Sequence, residues 1–561
     1  MLGADLVAFS VRRWGVLLAL GLSGLALVPA CGKAEQPRAR MSAPASGGEG
    51  GESGAPSQAA GARAADGGAA MAGAATGGVS PAQSGAPPAD PDAGAGGAEP
   101  PEPEPEPEPD LVIRRISIAQ SLELPLMRDG QAVPADMRPA PLVAGKRALV
   151  RAFVQLTPEF AARDLIGLLD LKSPSGDDTL IAERYVSAGS AQDNLASTFV
   201  FDVLARDLAP TTTYRLRVLE ADTAPLARFP ESGYAPLEAR RLPPFKLVVV
   251  PMVANGFSPK IGAPEVESLR SRMLALMPAS TVDIDVVEPV TLDYTLNASG
   301  SGWNTALRDI YDIREAAQPA HDVFYYGMLA PAATFDDYCE DSCYLGYARL
   351  TDPEDVDFRG AIGVALFADG SGTEDAWDTV VHELGHSLGR EHSPCGVDED
   401  DQDPSFPYPA GDLGSTYGYD FGLSALVKPK EVLDVMGYCV PVWISDYTYR
   451  GMFERLQYIA GEQFRALSAA APAAPQLFRV AELDLFGRAS WASQRMRSLS
   501  PERLRAVALL DAAGSRMGTV AARVVRYDHG GGELWLPAEQ LAASGAAAVD
   551  LSLIGGGALA L

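Results

Sequence analysis

Residues 376–392 have the sequence AWDTVVHELGHSLGREH, and this stretch decides how the central part of the chain folds. The residues before it, Ser371-Gly372-Thr373-Glu374, have the spacing of a capping box, which predicts that a helix begins there. Gly389 predicts the end of that helix, since glycine readily takes the left-handed conformation that follows a helix. We therefore expect one helix and then a turn that leads to His392.

Three of the five histidines of the chain lie in this stretch. His382 and His386 are one helical turn apart, so their imidazoles project from one face, as two ligands of a single Zn²⁺ must. The turn at Gly389 brings in His392 as a third ligand. Glu383 lies next to the first histidine and can reach a metal-bound water, which is the position that a general base needs. The stretch predicts a zinc site with its own base.

The string from His382 to His392 matches the motif HExxHxxGxxH at every specified position, and in this the chain resembles the metzincin metallopeptidases. The resemblance covers about residues 245–460. It implies a multidomain protein whose α/β (α+β) catalytic domain has a mixed sheet and an active-site helix. It also implies peptide hydrolysis by a zinc-activated water, with Glu383 accepting the proton of the water and returning it to the leaving amine.

Metzincins have a Met-turn beneath the metal, and the segment DVMGYC around Met436 is similar to one. In the astacin and serralysin branches, a tyrosine two residues after that methionine is a further zinc ligand that helps to stabilise the oxyanion, and Tyr438 occupies that position. The resemblance also implies that the strand before residues 361–367 is an antiparallel edge that pairs with an extended substrate, and Gly346 and Ala348 fit it.

The first 31 residues predict export. Two arginines precede an apolar run from Trp14 to Val28, which is too short for a stable membrane span and fits a signal peptide. The run ends at VPAC, which resembles the lipobox of bacterial lipoproteins and makes Cys31 the lipidation site. Ordinary signal cleavage and an uncleaved anchor are the alternatives. A lipid on Cys31 would hold the protein at the bacterial outer membrane or cell surface.

Residues 32–110 contain almost no large apolar side chain, so they cannot offset the entropy of ordering and are expected to form a disordered tether. The formal net charge of the chain is −28, and the acidity extends through the folded part as well as the tether. Phosphate binding relies on clustered Lys and Arg, so this charge balance argues against nucleic acid as a partner.

Two β-rich parts flank the expected catalytic domain, residues 244–471. Residues 111–243 have alternating apolar runs between Pro, Gly and Asp clusters, which is typical of a β-sandwich. The catalytic part alternates strands with helices, which we expect at Pro264 to Met277 and Trp303 to Ala316. Residues 472–561 return to β-like runs, and we expect a second, small β-domain there.

The cysteine count is odd, and a lipid on Cys31 leaves four cysteines that can pair in three ways. We favour the pairs Cys339–Cys343 and Cys395–Cys439, the second of which ties the zinc loop to the Met-turn. A second metal site is the alternative, but an exported protein lies where disulfides persist.

The run of acidic residues 398–403 offers the hard oxygen ligands that Ca²⁺ prefers. It lacks EF-hand spacing, so a solvated loop is the favoured alternative. His321 and His529 have no partner ligands near them in the sequence, and we treat both as non-functional.

These features predict a monomeric, surface-anchored zinc endopeptidase that acts on extracellular proteins or glycoproteins. The chain is more loosely similar to secreted mucin-cleaving metallopeptidases, a similarity that transfers no substrate. An idle adhesin or glycan-binding surface lipoprotein with the same fold is the main alternative, and the intact Glu383 counts against it. A zinc hydrolase for another kind of bond is the third possibility.

Overall fold

The computed structural model describes residues 110–561 apart from 341, 354, 373–375, 467–475, 493 and 498–503. The predicted signal peptide, the lipobox with Cys31 and nearly all of the tether lie outside the described residues, as do Thr373 and Glu374 of the predicted capping box. No helix within the described ranges is long and apolar enough to cross a membrane.

Residues 111–243 form two antiparallel sheets. The strands of this part are β1 (Leu111–Ala119), β2 (Glu123–Arg128), β3 (Gln131–Ala132), β4 (Ala148–Leu156), β5 (Arg163–Ser173), β6 (Gly176–Val186), β7 (Phe199–Val203), β8 (Thr213–Leu219), β9 (Ala227–Phe229) and β10 (Ala235–Pro236). One sheet has the order β3-β2-β1-β4-β7, and the other has the order β10-β8-β5-β6 with β9 paired to β8. The sheets pack face to face at Gly167, where a Cβ would lie 2.8 Å from the Phe199 ring.

The middle of the chain forms a mixed sheet covered by helices, in agreement with the alternation of strands and helices in the sequence. The strands of this sheet are β11 (Phe245–Val253), β12 (Val282–Val286), β13 (Val290–Thr291), β14 (Val323–Leu329), β15 (Gly346–Leu350) and β16 (Gly360–Val364). Two separate two-stranded sheets follow, β17 (Gly418–Asp420) with β18 (Ala425–Val427) and β19 (Leu433–Asp434) with β20 (Val442–Trp443). The helices of this part are α1 (Ala263–Leu276), α2 (Trp303–Ala317), α3 (Phe335–Tyr338), α4 (Ala376–Ser387) and α5 (Asp446–Ala466).

The strand order positions the motif helix. Strands β12, β11, β14 and β16 are parallel, and β15 lies antiparallel beside β16. Helix α4 packs on β15 and β16, and its apolar residues Val380, Val381 and Leu384 have no exposed surface. The chain leaves the helix at Gly389, whose φ of +76° lies in the left-handed region that favours glycine, as predicted.

The C-terminal strands continue this sheet. They are β21 (Gln476–Leu483), β22 (Ala489–Trp491), β23 (Arg495–Arg497), β24 (Arg505–Leu510), β25 (Arg516–Tyr527), β26 (Gly532–Pro537), β27 (Ala548–Asp550) and β28 (Ala558–Ala560), with α6 (Ala538–Ala543) after β26. Strand β25 pairs antiparallel with β15, where Arg349 lies opposite Tyr527 and Leu350 opposite Arg526. The expected small β-domain is therefore joined to the catalytic sheet, because the outer edge of β15 offers unpaired main-chain groups.

Candidate metal centre

Helix α4 and the turn after it bring three imidazoles together. Nε2 of His386 lies 3.1 Å from Nε2 of His382 and 3.1 Å from Nε2 of His392. Nitrogen ligands of a tetrahedral metal ion lie roughly 3.3 Å apart when their bonds to the metal have ordinary lengths. All three side chains are buried. The spacing fits a single metal ion held by the three histidines that the sequence singles out.

The outer nitrogens fix the tautomer of two of these rings. Nδ1 of His382 lies 2.7 Å from the carbonyl oxygen of Val435, and Nδ1 of His386 lies 2.6 Å from that of Arg390. A carbonyl oxygen only accepts, so each Nδ1 carries the hydrogen and each Nε2 presents a lone pair to the centre. Lone pairs at this separation repel unless a cation lies between them, so this donor set fits a metal such as Zn²⁺.

Burial keeps the three imidazoles in the neutral form that binds metals. Burial lowers the pKa of His382 to about 4. Burial, together with the charge of neighbouring imidazoles, lowers the pKa values of His386 and His392 well below the ordinary value. Because the charged forms are disfavoured, protons do not compete for these ligands near neutral pH.

Glu383 lies beside the triad with no exposed surface, close to the carboxyl group of Asp528. Burial, and then the charge of Asp528, raise the pKa of Glu383 well above its ordinary value. The main chain of Gly346 passes so close that a Cβ there would overlap the Glu383 carboxylate. Glycine at position 346 therefore lets β15 approach the candidate base.

The segment with Met436 lies directly under α4. A Cβ on Gly385 would overlap the sulfur of Met436, which explains why this helix has a glycine between its two histidines. The same segment supplies the Val435 carbonyl that orients His382. Met436 thus lies beneath the helix that carries His382 and His386.

Asp434 braces this segment. Its carboxylate is fully buried and accepts hydrogen bonds from the main-chain N–H of Met436 at 2.9 Å, the N–H of Ser445 at 2.8 Å and the hydroxyl of Thr448 at 3.0 Å. Such a network holds a buried carboxylate in one place. The start of α5 and the Met436 segment are thus fixed to each other.

The four cysteines of the catalytic part form the two predicted disulfides, Cys339–Cys343 and Cys395–Cys439. The acidic run 398–403 contributes to neither of the clusters of potential metal ligands that the described residues form. His321 is exposed and lies outside those clusters too.

Tyr438 links the triad to the C-terminal strands. Its hydroxyl lies 2.9 Å from Nε2 of His392 and 2.9 Å from Nδ1 of His529. The oxygen Oδ2 of Asp528 lies 3.9 Å from Nε2 of His386. The structure places His529, which the sequence analysis treats as non-functional, beside the metal centre. Sequence reasoning missed Asp528 as well, because no local spacing connects either residue with the motif.

The strand with Gly346 and Ala348 is antiparallel to β16 as expected, but it is not a free edge. The N–H of Ala348 donates to Oδ2 of Asp528 at 3.2 Å, and its carbonyl accepts from the N–H of Asp528 at 3.3 Å. The expectation of an open edge is corrected here: C-terminal residues already bond the outward-facing groups of Ala348.

Comparisons with known proteins agree with the metal centre. The family model Peptidase M66, a metallopeptidase family, matches residues 359–432, which contain the three histidines and Glu383 and end before Met436. No curated protein matches the chain. A solved Paenibacillus sp. cycloisomaltooligosaccharide glucanotransferase, complexed with cycloisomaltoheptaose, aligns at 10% identity with a TM-score of 0.14, over 44% of this chain and 29% of that chain, and carries no inference. Residues 359–432 are thus similar to a family of metallopeptidases.

Proposed function

We propose that the chain is a zinc-dependent endopeptidase that hydrolyses peptide bonds in extracellular proteins or glycoproteins, and that residues 244–471 are its metzincin-like catalytic domain. The observation that carries the proposal is the convergence of three inward-facing imidazole nitrogens beside the buried carboxylate of Glu383. The match of the same residues to a metallopeptidase family supports it.

The residues of the centre divide the chemistry among them. His382, His386 and His392 would hold the zinc ion, which supplies a Lewis acid that makes a bound water acidic. Glu383, whose buried carboxylate lies beside the triad, takes up the proton of the attacking water and passes it to the leaving amine. Burial raises the pKa of Tyr438 well above the ordinary value, so its hydroxyl stays protonated and donates to the developing oxyanion.

We also propose that the protein acts as a monomer at the cell surface. The N-terminal sequence supports this: a signal peptide that ends in a lipobox would leave a lipid on Cys31 as the membrane anchor, and residues 32–110 would hold the folded part away from the membrane. Two disulfides in the catalytic part suit an oxidising compartment outside the cytoplasm.

The test is a long incubation of the purified protein with casein, a glycoprotein and a peptide library, in which the cleavage sites are identified by mass spectrometry. We expect Glu383→Ala to retain zinc, measured by metal analysis, and to lose about 10²- to 10⁴-fold in cleavage rate. Glu391→Ala is the matched control, because Glu391 lies in the same motif but is exposed. Removal of zinc with a chelator should abolish cleavage, and its return should restore it.

Cleavage by Glu383→Ala at the rate of the unaltered protein would overturn the proposed mechanism. Zinc-loaded protein that cleaves none of these substrates would favour the idle adhesin instead.

A further inference from the structure

Residues 528–530, named the C-terminal turn below, lie where a substrate main chain would bind. Asp528 exchanges hydrogen bonds with both outward-facing main-chain groups of Ala348, at 3.2 and 3.3 Å. An extended polypeptide adds to a strand through such groups. The C-terminal turn therefore uses the hydrogen bonds that β15 would offer to a substrate.

Asp528 also faces the metal ligands. Its Oδ2 lies 3.9 Å from Nε2 of His386, and its side chain has no exposed surface. Asp528, His386 and Glu383 have potential ligand atoms within 4.8 Å of one another. Carboxylate oxygens are ordinary zinc ligands, and Asp528 groups with His386 and Glu383 rather than with His382 and His392, so its carboxylate lies beside the histidine triad.

His529 fills the space next to Asp528. Its ring lies edge-on to Tyr344 with 5.2 Å between centroids and stacks on Tyr347 at 6.0 Å. Its Nδ1 lies 2.9 Å from the Tyr438 hydroxyl. The two side chains of the C-terminal turn thus cover the metal centre on the side of β15.

The centre is closed in this arrangement. Glu383 and His386 have no exposed surface, and His392 is 2% exposed. A peptide bond reacts only when it lies against the metal and the base. No polypeptide can reach these residues while the C-terminal turn is in place.

Asp528 and Glu383 lie close together in the interior, and two buried like charges cost free energy unless a shared proton or a cation offsets them. A metal ion bound by the histidines would offset this cost, which gives the Asp528 carboxylate a chemical role beside His386.

We propose that the C-terminal turn is an intrachain inhibitor of the metal centre. In the resting protein Asp528 is the fourth protein ligand of the metal, and the turn must withdraw from β15 before a polypeptide substrate can bind. This inference rests on the proposed function.

Withdrawal can be local. Gly530, Gly531 and Gly532 follow His529 with φ angles of +83°, +77° and +149°, so the main chain there has the freedom that only glycine gives. The neighbouring strand β26 stays attached to β15 through the buried ion pair of Arg349 and Glu533. The turn can therefore move while the sheet remains intact.

The test compares the Co²⁺-loaded full-length protein with Asp528→Ala and Asp528→Asn. The control is Glu539→Ala, which removes an exposed carboxylate from the same part of the chain. Loss of a ligand should change the visible absorption spectrum of Co²⁺ and lower Co²⁺ affinity, measured by chelator competition, about tenfold or more. The same substitution should raise kcat/KM for a fluorogenic peptide about tenfold or more, since a larger fraction of molecules is open.

Weaker metal binding with faster cleavage is the expected signature, and a merely structural residue would not produce it. A spectrum and an affinity like those of the unaltered protein would overturn the ligand assignment. A changed spectrum with equal or slower cleavage would overturn the inhibitory role. Asp528→Asn keeps the size of the side chain, so it replaces Asp528→Ala in both measurements if that variant does not fold.

The two proposals fail in different ways. If no variant cleaves any substrate, the proposed function is wrong and the inhibitory role with it, while the Co²⁺ spectrum still decides whether Asp528 is a ligand. If Asp528→Ala cleaves, adding Glu383→Ala should abolish that cleavage, which assigns it to this centre.

Discussion

The two β-rich flanks contact the catalytic part in different ways. The N-terminal sandwich contacts the catalytic part through side-chain hydrogen bonds. Trp443 donates its indole N–H to the carbonyl of Ser121 at 2.9 Å, and the ammonium of Lys146 donates to the carbonyl of Met277 at 2.6 Å. The C-terminal strands instead extend the sheet through β25 on β15, so that main chain and side chains from this flank reach the metal centre.

This difference shows what each kind of contact can do. Within the described part of the chain, no residue of 111–243 belongs to a cluster of potential metal ligands, whereas Asp528 belongs to one. A flank that packs beside a sheet supports the site from a distance. A flank that continues the sheet lies along the strand on which an extended substrate would bind, and it can therefore compete with that substrate.

The largest effect should come from breaking the C-terminal junction. Glu533 is 2% exposed and accepts hydrogen bonds from Arg349, from the Tyr527 hydroxyl at 2.9 Å and from the Trp535 indole at 2.8 Å. Glu533→Ala leaves the buried Arg349 guanidinium unpaired, which should cost about 3–5 kcal/mol of unfolding free energy. Denaturant unfolding with probes in both flanks measures it.

The matched control for Glu533→Ala is Asp312→Ala. Asp312 forms a more exposed ion pair with Arg495 across the same junction, at 2.8 Å. Exposed pairs contribute about 0–1 kcal/mol, so this variant should unfold almost like the unaltered protein. Equal losses in the two variants would show that the buried pair is no special anchor of the C-terminal flank.

An intermediate effect should appear at the N-terminal junction as a dependence on pH. Burial lowers the pKa of Lys146 to about 7, whereas an unfolded lysine titrates near 10.4. Between these values the unfolded chain binds a proton that the folded protein does not, so the free energy of unfolding should rise with pH, by up to about 1.4 kcal/mol per pH unit. Lys146→Met should lose this rise, measured by denaturant unfolding at pH 7 and pH 9.

Other groups also titrate in this range, so the difference between protein and variant is the quantity to compare. Lys246→Met is the control, because the Lys246 side chain is 39% exposed, although its partner Asp322 is buried. It should keep the pH dependence of the unaltered protein. A Lys146→Met variant that keeps it as well would contradict the assigned pKa of Lys146.

The features that the sequence predicted depend on residues close together in the chain or next to the motif segments. The three histidines lie within one helix and the turn after it, so helical spacing and the glycine that ends the helix were enough to predict that they converge. Helices α1 and α2 match the expected helices within a residue at each end, because their apolar spacing is periodic. The disulfide between Cys395 and Cys439 was predictable from the resemblance, since both cysteines adjoin motif segments.

What the sequence could not show depends on strand pairing between distant segments. Asp528 reaches His386 only because β25 aligns with β15 in the register that puts Tyr527 opposite Arg349. No local pattern encodes which strand will cover an edge, since every strand offers the same main-chain groups. For the same reason the glycine at position 346 had no visible explanation until the structure placed Glu383 against it.

The smallest effect should follow from Trp443→Phe, which removes one hydrogen bond between the sandwich and the catalytic part. The Ser121 carbonyl keeps a second donor, the N–H of Tyr419 at 3.2 Å, so the loss should be only about 1 kcal/mol. The Co²⁺ spectrum should not change, in contrast to Asp528→Ala. Trp377→Phe, which removes an indole bond to Ser268 within the catalytic part, is the control. An altered Co²⁺ spectrum in Trp443→Phe, but not in Trp377→Phe, would show that the N-terminal sandwich also acts on the metal centre. The distinction between the two flanks would then no longer hold.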